Sequence, residues 1–381
     1  MKEFYAWAAR MADVQPPTDA GQNLPIEERL RRVVAPTPLN LDRSVVRVVP
    51  TEQAVHLLGT TPQSLSVLMW PDLAKATDMA HDQFLATQLG ALMTFALNRR
   101  VQVASTETPI SMAGSPVRNF IPGQANDREL VGPLPDEPKS AFEDTVRGVL
   151  GLSERDRGPI GAAIDLHYAS TLLLDTDLNA AYALAVAGIE TLSRHYNDVQ
   201  FGWDDWDEAP HLDSVFAKLG MSEDQADRLR EELLKGRHLK LRQTFATYVA
   251  ESLPDSFWEL EMQDYLPTYK VAPDDSTVFT GLEAAERLRL DRFVPRDRGA
   301  CRKRLLATYD ARSSYVHTGR RGVSETQTMA TLAGAPGDEA RRPLEYLAVR
   351  RILRTMTQHE IARRSEDVPL PGLIVFHDEP E

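Results

Sequence analysis

The sequence predicts a mainly α protein, in which a small α+β N-terminal domain precedes a C-terminal helical bundle. Long segments of the second half place apolar residues at helical spacing, whereas the first third is rich in proline and short apolar runs. A polar, proline-rich stretch, GPLPDEPKS at 132–140, lies between these parts. Because 381 residues exceed one typical domain, we expect two domains, at 1–135 and 136–381.

The N-terminal part predicts short elements and one long helix. VVRVV at 45–49 is typical of a strand that a proline ends. TEQAVHLLG at 51–59 predicts a brief helix between a threonine cap and a glycine stop. VQVAST at 101–106 predicts a further strand. The long helix is predicted over 78–100, where one face carries Leu85, Leu89, Leu92 and Ala96.

The C-terminal part reads as a succession of helices. They are predicted at 160–175, 178–196, 222–236, 241–253 and 343–364, with a basic helix before the last of them. Asp177 is expected to cap the second and Ser222 the third. The segment between 254 and the basic helix is predicted to be irregular. The tail at 369–381 is expected to form a short strand or an extended chain.

Composition bounds the cellular setting. The single cysteine, Cys301, excludes an intramolecular disulfide and fits a reducing compartment. The longest apolar run, AYALAVAGI, is too short to span a bilayer. The N-terminal segment lacks the basic and apolar regions of a signal peptide. We therefore expect a soluble, cytoplasmic protein that makes no membrane contact.

No motif predicts a cofactor or a resident metal. DTDLN at 175–179 begins like a calcium loop but lacks the glycine and glutamate that such a loop requires. The acidic loop FGWDDWDEAPH at 201–211 is expected to be mobile and solvated. His56 and His81 stand without partners at ligand spacing, so structural roles are expected. Cys301 has no evident base, so a catalytic thiol is not expected.

Basic residues concentrate between residues 287 and 321, although the chain carries a formal net charge of −13. This basic island holds eleven lysines and arginines against three aspartates, a net +8. A chain of overall negative charge is not expected to coat nucleic acid, whereas such an island offers one place where a polyanion could dock. The alternative is a solvated arginine-rich segment whose cations pair with acidic neighbours.

Arg312 and His317 lie in YDARSSYVHTGRR at 309–321, within the predicted basic helix. On a helical wheel Arg312 falls on an apolar stripe shared with Leu305, Tyr309 and Val316. His317 lies on a second stripe, about 100° around the helix, with Leu306, Asp310 and Ser313. A buried guanidinium requires a partner. Arg312 therefore meets either Glu190, which interrupts the apolar helix AYALAVAGIETLS, or an anion at a seam.

These residues carry a family resemblance. R-x4-H at Arg312–His317 resembles the R-x4-6-H motif of HEPN domains, which are α-helical and often ribonucleolytic. RLLATYDARSSYVHTG is similar to the terminal helix of the Apea-like HEPN branch, with Thr308 in a position that is often apolar there. AYALAVAGIETLS resembles the earlier helix of that branch, including its apolar-Glu-x-Leu core. The resemblance covers about 155–365.

The resemblance implies a metal-independent endoribonuclease that works as a homodimer on single-stranded RNA. His317 would serve as general acid or base, and Arg312 would bind the phosphate and its extra transition-state charge. Ser313, Tyr309 and Glu190 would support them. Products would carry a 2′,3′-cyclic phosphate or 3′-phosphate and a 5′-hydroxyl. The flanking backbone would be held by the basic island, through Arg302, Lys303, Arg304, Arg320 and Arg321.

Two functions stay open at this point. The first is such a nuclease, acting in phage defence, toxin–antitoxin control or stress response, with residues 1–135 sensing a trigger or an antitoxin partner. The second is a non-catalytic dimerisation or nucleotide-binding module. Ser313 occupies a position where many nucleolytic HEPN members have Asn, Asp or His. Exposed side chains that meet across a dimer favour the first function, and a buried Arg312–Glu190 pair within one subunit favours the second.

Overall fold

The computed structural model is mainly helical, which confirms the predicted fold class. The predicted domain boundary at 135 stays a prediction, and His56, Arg320, Arg321 and the tail from 371 lie outside the described residues. The structure describes residues 1–13, 27–35, 40–41, 46–55, 63–72, 79–103, 135–174, 176–197, 202–204, 206, 208–235, 240–271, 277–319 and 342–370.

The helices of the described chain are numbered here in chain order. They are α1 (Lys2–Asp13), α2 (Met79–Leu97), α3 (Pro138–Leu150), α4 (Glu154–Leu173), α5 (Leu178–Tyr196), α6 (Ala209–Lys218), α7 (Glu223–Lys235), α8 (Leu241–Ser252), α9 (Arg298–Thr318) and α10 (Tyr346–Arg364). Short 3-10 turns occupy Asp255–Glu259 and Leu290–Arg292. The helical spacing of apolar residues therefore located α2, α4, α5 and α7 to α10, whereas α1, α3 and α6 were not predicted, and α3 begins inside the segment predicted as a linker.

Strands form two sheets. The first holds β1 (Glu27–Ala35), β2 (Arg47–Val55), β3 (Gln63–Asp72) and β4 (Gln102–Val103) in the order β2-β3-β1-β4. Its pairings are antiparallel, and Glu27 opposite Asp72 sets the register of the central pair. Alternate residues of β3 are buried, as the two-residue period of a strand requires. The second sheet pairs β5 (Glu261–Val271) with β6 (Thr277–Arg289).

Two of the local predictions were wrong. Residues 51–55, predicted to begin a helix, continue strand β2, because pairing with β3 resumes at Ala54 after an irregularity that begins at Pro50. Cross-strand pairing thus overrides the local cap signal at Thr51, and residues 56–59 of the predicted helix lie outside the described residues. The segment after α8, predicted to be irregular, contains β5 and β6.

The described chain divides into two compact units. Unit 1 comprises 1–181, 261–288 and 357–381, and unit 2 comprises 182–260 and 289–356. The core of unit 1 includes the α2 face predicted from the sequence, with Leu85, Leu89 and Leu92 buried. Unit 2 holds most of α5, all of α6 to α9 and the first half of α10. Arg312, His317 and Glu190 belong to unit 2.

Side-chain caps begin two helices as the sequence predicts. Asp177 Oδ1 accepts hydrogen bonds from the backbone N–H groups of Asn179 and Ala180, each at 3.0 Å, and so caps α5. Ser222 and Gln225 exchange reciprocal bonds before α7, which makes a capping box.

Within the part of the chain that the structure describes, no helix has the length and apolar character to cross a membrane.

Candidate functional site

Helix α9 carries both motif residues. Asp297 Oδ1 accepts from the Ala300 N–H at 2.8 Å and caps the start of the helix. Gly319 ends it in the left-handed conformation, at φ 68°, where glycine carries no Cβ penalty. The predicted apolar stripe is buried at Leu305, half-buried at Tyr309 and 52% exposed at Val316. The side chains in the last turns of α9 are therefore less buried than the apolar stripe in the sequence predicts.

The Leu344 peptide joins α5 and α9 to the start of α10. Thr308 Oγ1 accepts a hydrogen bond from the buried Leu344 N–H at 2.8 Å. The Tyr182 hydroxyl, from α5, donates to the Leu344 carbonyl at 2.9 Å. The position of Thr308 is often apolar in the family that the sequence resembles, and here its hydroxyl satisfies a buried backbone donor. These bonds fix α9 against the helix that carries Glu190.

Arg304 is a structural residue. It is buried, and its guanidinium donates to the carbonyls of Phe293, Arg342 and Pro343, the first at 2.7 Å. A guanidinium committed to three backbone acceptors in the core is not available to a phosphate. This placement argues against the predicted role of Arg304 in RNA binding, and we do not retain it.

Glu190 brings three polar side chains of unit 2 together. Its side chain is only 5% exposed, and Oε2 lies 3.2 Å from Nη2 of Arg312. Oε1 accepts a hydrogen bond from Nη2 of Arg194, one turn further along α5. The ion pair between Arg312 and Glu190, one of the two partners that the sequence left open, is therefore present within one chain, and Arg194, which the sequence did not single out, completes it. An Arg at i+4 from a helical Glu was the signal that could have found it.

Tyr309 forms the apolar side of this cluster. The Phe245 ring, from α8, lies 5.6 Å from the Tyr309 ring, and the Arg312 guanidinium carbon lies 5.9 Å from the centre of that ring. Burial raises the pKa of the Tyr309 phenol, and the negative charge of Glu190 raises it further. A hydrogen bond between the phenol and Glu190 acts on the pKa in the same direction. The Glu190 cluster consists of Glu190, Arg194, Tyr309 and Arg312.

His317 lies outside this cluster, at the exposed end of α9. Its side chain makes no hydrogen bond or ion pair with any residue that the structure describes. Five residues on a helix separate it from Arg312 by roughly 7.5 Å along the axis and about 140° around it. Ser313 is half-buried one turn before His317. Val316, which lies between Ser313 and His317 in the sequence, is exposed. One helix therefore presents the arginine and the histidine in different directions.

Carboxylates pair with several cations of the basic island. Ion pairs join Arg287 to Glu261, Arg289 to Asp291, Arg296 to Glu259 and Arg298 to Glu251. This is the alternative that the sequence left open. Among the described residues, neither Arg302 nor Lys303 forms an ion pair, and Lys303 is exposed. Of these two predicted RNA contacts, Lys303 is therefore accessible to solvent, whereas Arg302 is half-buried with its Nε buried.

The other candidate residues are less suited to catalysis or metal binding. Burial raises the pKa of the Cys301 thiol to about 12, which disfavours a nucleophilic thiolate. The indole N–H of Trp203, in the acidic loop, and the guanidinium of Arg230, in α7, both donate to Asp213 of α6. Hydrogen bonds from these donors hold the pKa of Asp213 below its usual value. Among the described residues, no three acidic, His or Cys side chains form a metal-binding group.

Comparison with models of known protein families, with curated proteins and with solved structures found no match to this chain.

Proposed function

We propose that the chain is a metal-independent endoribonuclease of HEPN type. The sequence support is the resemblance of Arg312–His317 and the Glu190 helix to the Apea-like HEPN branch. The structural support is the exposed His317 on the same helix as Arg312, together with the second cation, Arg194, that accompanies Arg312 on Glu190. In this proposal the protein is cytoplasmic and takes single-stranded RNA as its substrate.

One observation carries the proposal: the Glu190 cluster contains two arginines for one carboxylate. The Arg312–Glu190 pair by itself would be neutral, whereas the cluster with Arg194 keeps one positive charge. A neutral phenol, Tyr309, adds no negative charge. The nearby Asp310 does not neutralise it, because both of its oxygens accept hydrogen bonds from Arg242 at 2.8 Å. An excess of positive charge beside a protonated phenol suits an RNA phosphate.

The chemistry assigned to the two motif residues follows from their side chains. The RNA 2′-oxygen attacks the adjacent phosphorus, its proton passes to a neutral imidazole, and the bond from phosphorus to the 5′-oxygen breaks. A protonated imidazole gives the leaving oxygen its proton. Arg312 stabilises the extra charge on the phosphoryl oxygens. The products are a 2′,3′-cyclic phosphate, which hydrolyses to a 3′-phosphate, and a 5′-hydroxyl.

A homodimer is part of this proposal. Because Arg312 and His317 diverge on one helix, a second copy would bring another pair to the same phosphate. The exposed Val316 beside His317 offers apolar surface for that contact. Two imidazoles would then be present, one as base and one as acid. Phage defence, toxin–antitoxin control or stress response are the proposed settings, with residues 1–135 receiving the trigger or an antitoxin.

A second candidate function is a non-catalytic helical dimer or nucleotide-binding module. The observation in its favour is the pairing of Arg312 with a buried Glu190 inside one chain. In that case Arg312 holds α9 against α5, and His317 takes no part in proton transfer. The two functions differ in whether RNA is cleaved and in whether His317 matters.

The test is incubation of purified protein with single-stranded RNA in EDTA. We expect cleavage by the wild type and a loss of at least about a hundredfold in His317→Ala and Arg312→Ala. Matched controls are His211→Ala and Arg228→Ala, which remove exposed residues of α6 and α7. Circular dichroism verifies that each variant is folded. Absence of cleavage by the wild type, or equal cleavage by all variants, refutes the nuclease proposal at this site.

A further inference from the structure

We infer that Arg194 is a second phosphate ligand, so that the site holds one RNA phosphate between Arg194 of α5 and Arg312 of α9. This inference rests on the proposed function and extends it to a residue outside the R-x4-H motif. The two guanidiniums approach opposite oxygens of the Glu190 carboxylate. A single buried acceptor therefore sets the spacing of two cations that belong to different helices.

The exposure of the two arginines differs in a way that suits a ligand. The side chain of Arg312 is 20% exposed and that of Arg194 is 54% exposed. Arg312 is thus the fixed inner cation, and Arg194 is the outer one, which solvent and a polyanion can reach. Neither arginine forms an ion pair with a second carboxylate among the described residues.

The donors of the pair are not exhausted by Glu190. A guanidinium carries five N–H groups in a planar fork that matches the oxygens of a phosphate. The Nε–H of Arg312 is buried and finds no acceptor in the described part of the chain. The Tyr309 phenol beside them is neutral, and its hydrogen bond with Glu190 raises its pKa further. An oxyanion at this position gains charge-assisted hydrogen bonds without displacing another anion.

Glu190 acts here as a positioning residue. A carboxylate on two arginines reduces their mutual repulsion and holds both side chains in one conformation before the ligand arrives. Because that ordering precedes binding, less side-chain entropy is lost when the phosphate is bound. The predicted consequence is that Glu190→Gln weakens phosphate binding although it removes a negative charge from the site.

The experiment measures binding without cleavage. A 2′-O-methyl oligoribonucleotide of fixed length, which cannot form the cyclic phosphate, is titrated by fluorescence anisotropy at several salt concentrations. We expect Arg194→Ala to weaken binding about tenfold and to reduce the salt slope by about 0.7, the contribution of one single-strand phosphate. Arg194→Lys keeps the charge and is expected to retain the slope but not the full affinity. Arg228→Ala is the matched arginine control and should change neither quantity.

The outcomes separate this inference from the nuclease proposal. If the wild type binds the oligonucleotide tightly and Arg194→Ala weakens that binding, the two-arginine site is supported, even if the wild type cleaves no RNA. Cleavage by the wild type with unchanged affinity and salt slope in Arg194→Ala overturns the role of Arg194 and leaves the nuclease intact. Failure of the wild type to bind the oligonucleotide overturns the inference as well.

Discussion

The ion pair between Arg312 and Glu190 predicts a measurable coupling energy. The perturbation is a double-mutant cycle of Arg312→Met, Glu190→Gln and the double variant. Methionine keeps most of the arginine stem, and glutamine keeps the shape of the glutamate, so each single variant removes charge with little change in volume. The cycle isolates the interaction of the two groups from their other contacts.

The expected magnitude follows from the geometry. A separation of 3.2 Å corresponds to a gross attraction of about 5 kcal/mol at an effective dielectric constant of about 20. The cost of desolvating the two charges opposes this attraction. Removing one partner of a fully buried pair lowers the free energy of unfolding by about 3–5 kcal/mol. Here Arg194 remains on Glu190, and Arg312 keeps contact with solvent. We therefore expect a coupling of about 1–2 kcal/mol, between the values for buried and surface pairs.

The assay is urea unfolding followed by far-ultraviolet circular dichroism, with the free energy of unfolding extrapolated to water. The matched control is the Arg147–Asp144 pair of α3, whose side chains are 38% and 71% exposed at 2.8 Å. Its cycle should give at most about 0.5 kcal/mol. A coupling for Arg312 and Glu190 no larger than that of the control would refute the reasoning, because a buried carboxylate between two cations must respond to the loss of one.

Three further predictions concern stability and reactivity. Thr308→Val leaves the buried Leu344 N–H without its acceptor and should lower the free energy of unfolding by about 1–3 kcal/mol, whereas an unchanged urea midpoint contradicts that bond. Gly151→Ala places a Cβ 2.1 Å from the Glu366 carbonyl oxygen and should destabilise by about 1–3 kcal/mol, read as a lower melting temperature. With its pKa raised to about 12, Cys301 should resist a thiol reagent at pH 8 until urea unfolds the chain, and rapid native labelling would be evidence against its burial.

The sequence predicted the motif helix because its local signals agree with its packing. An aspartate cap, helical spacing of apolar residues and a terminal glycine all specify α9. The partner of Arg312 was also predictable, since Arg312 and Glu190 each interrupt an apolar stripe, and two such interruptions on packed helices neutralise each other. The exposure of Val316 was not predictable. A helical wheel shows which residues share a face of α9, but it does not show how far along α9 the neighbouring helices cover that face.

Charge clustering alone misassigned Arg304. Its neighbours Cys301 and Thr308, at helical spacing, are buried on the same face, so the wheel could have corrected the assignment. The second sheet escaped prediction because β5 and β6 lack a clear apolar alternation, and their pairing depends on contacts that no local window contains. The same reason explains residues 51–55, whose helix signals yield to a strand partner.

The most direct test of the central claim is the chemistry of the RNA ends. A single-stranded RNA is incubated with wild-type protein and with His317→Ala in EDTA, and the fragments are analysed by mass spectrometry. We predict 5′-hydroxyl fragments with 2′,3′-cyclic phosphate or 3′-phosphate ends, produced by the wild type and lost in the variant. Fragments with 3′-hydroxyl and 5′-phosphate ends, or equal amounts of product from both proteins, would contradict it.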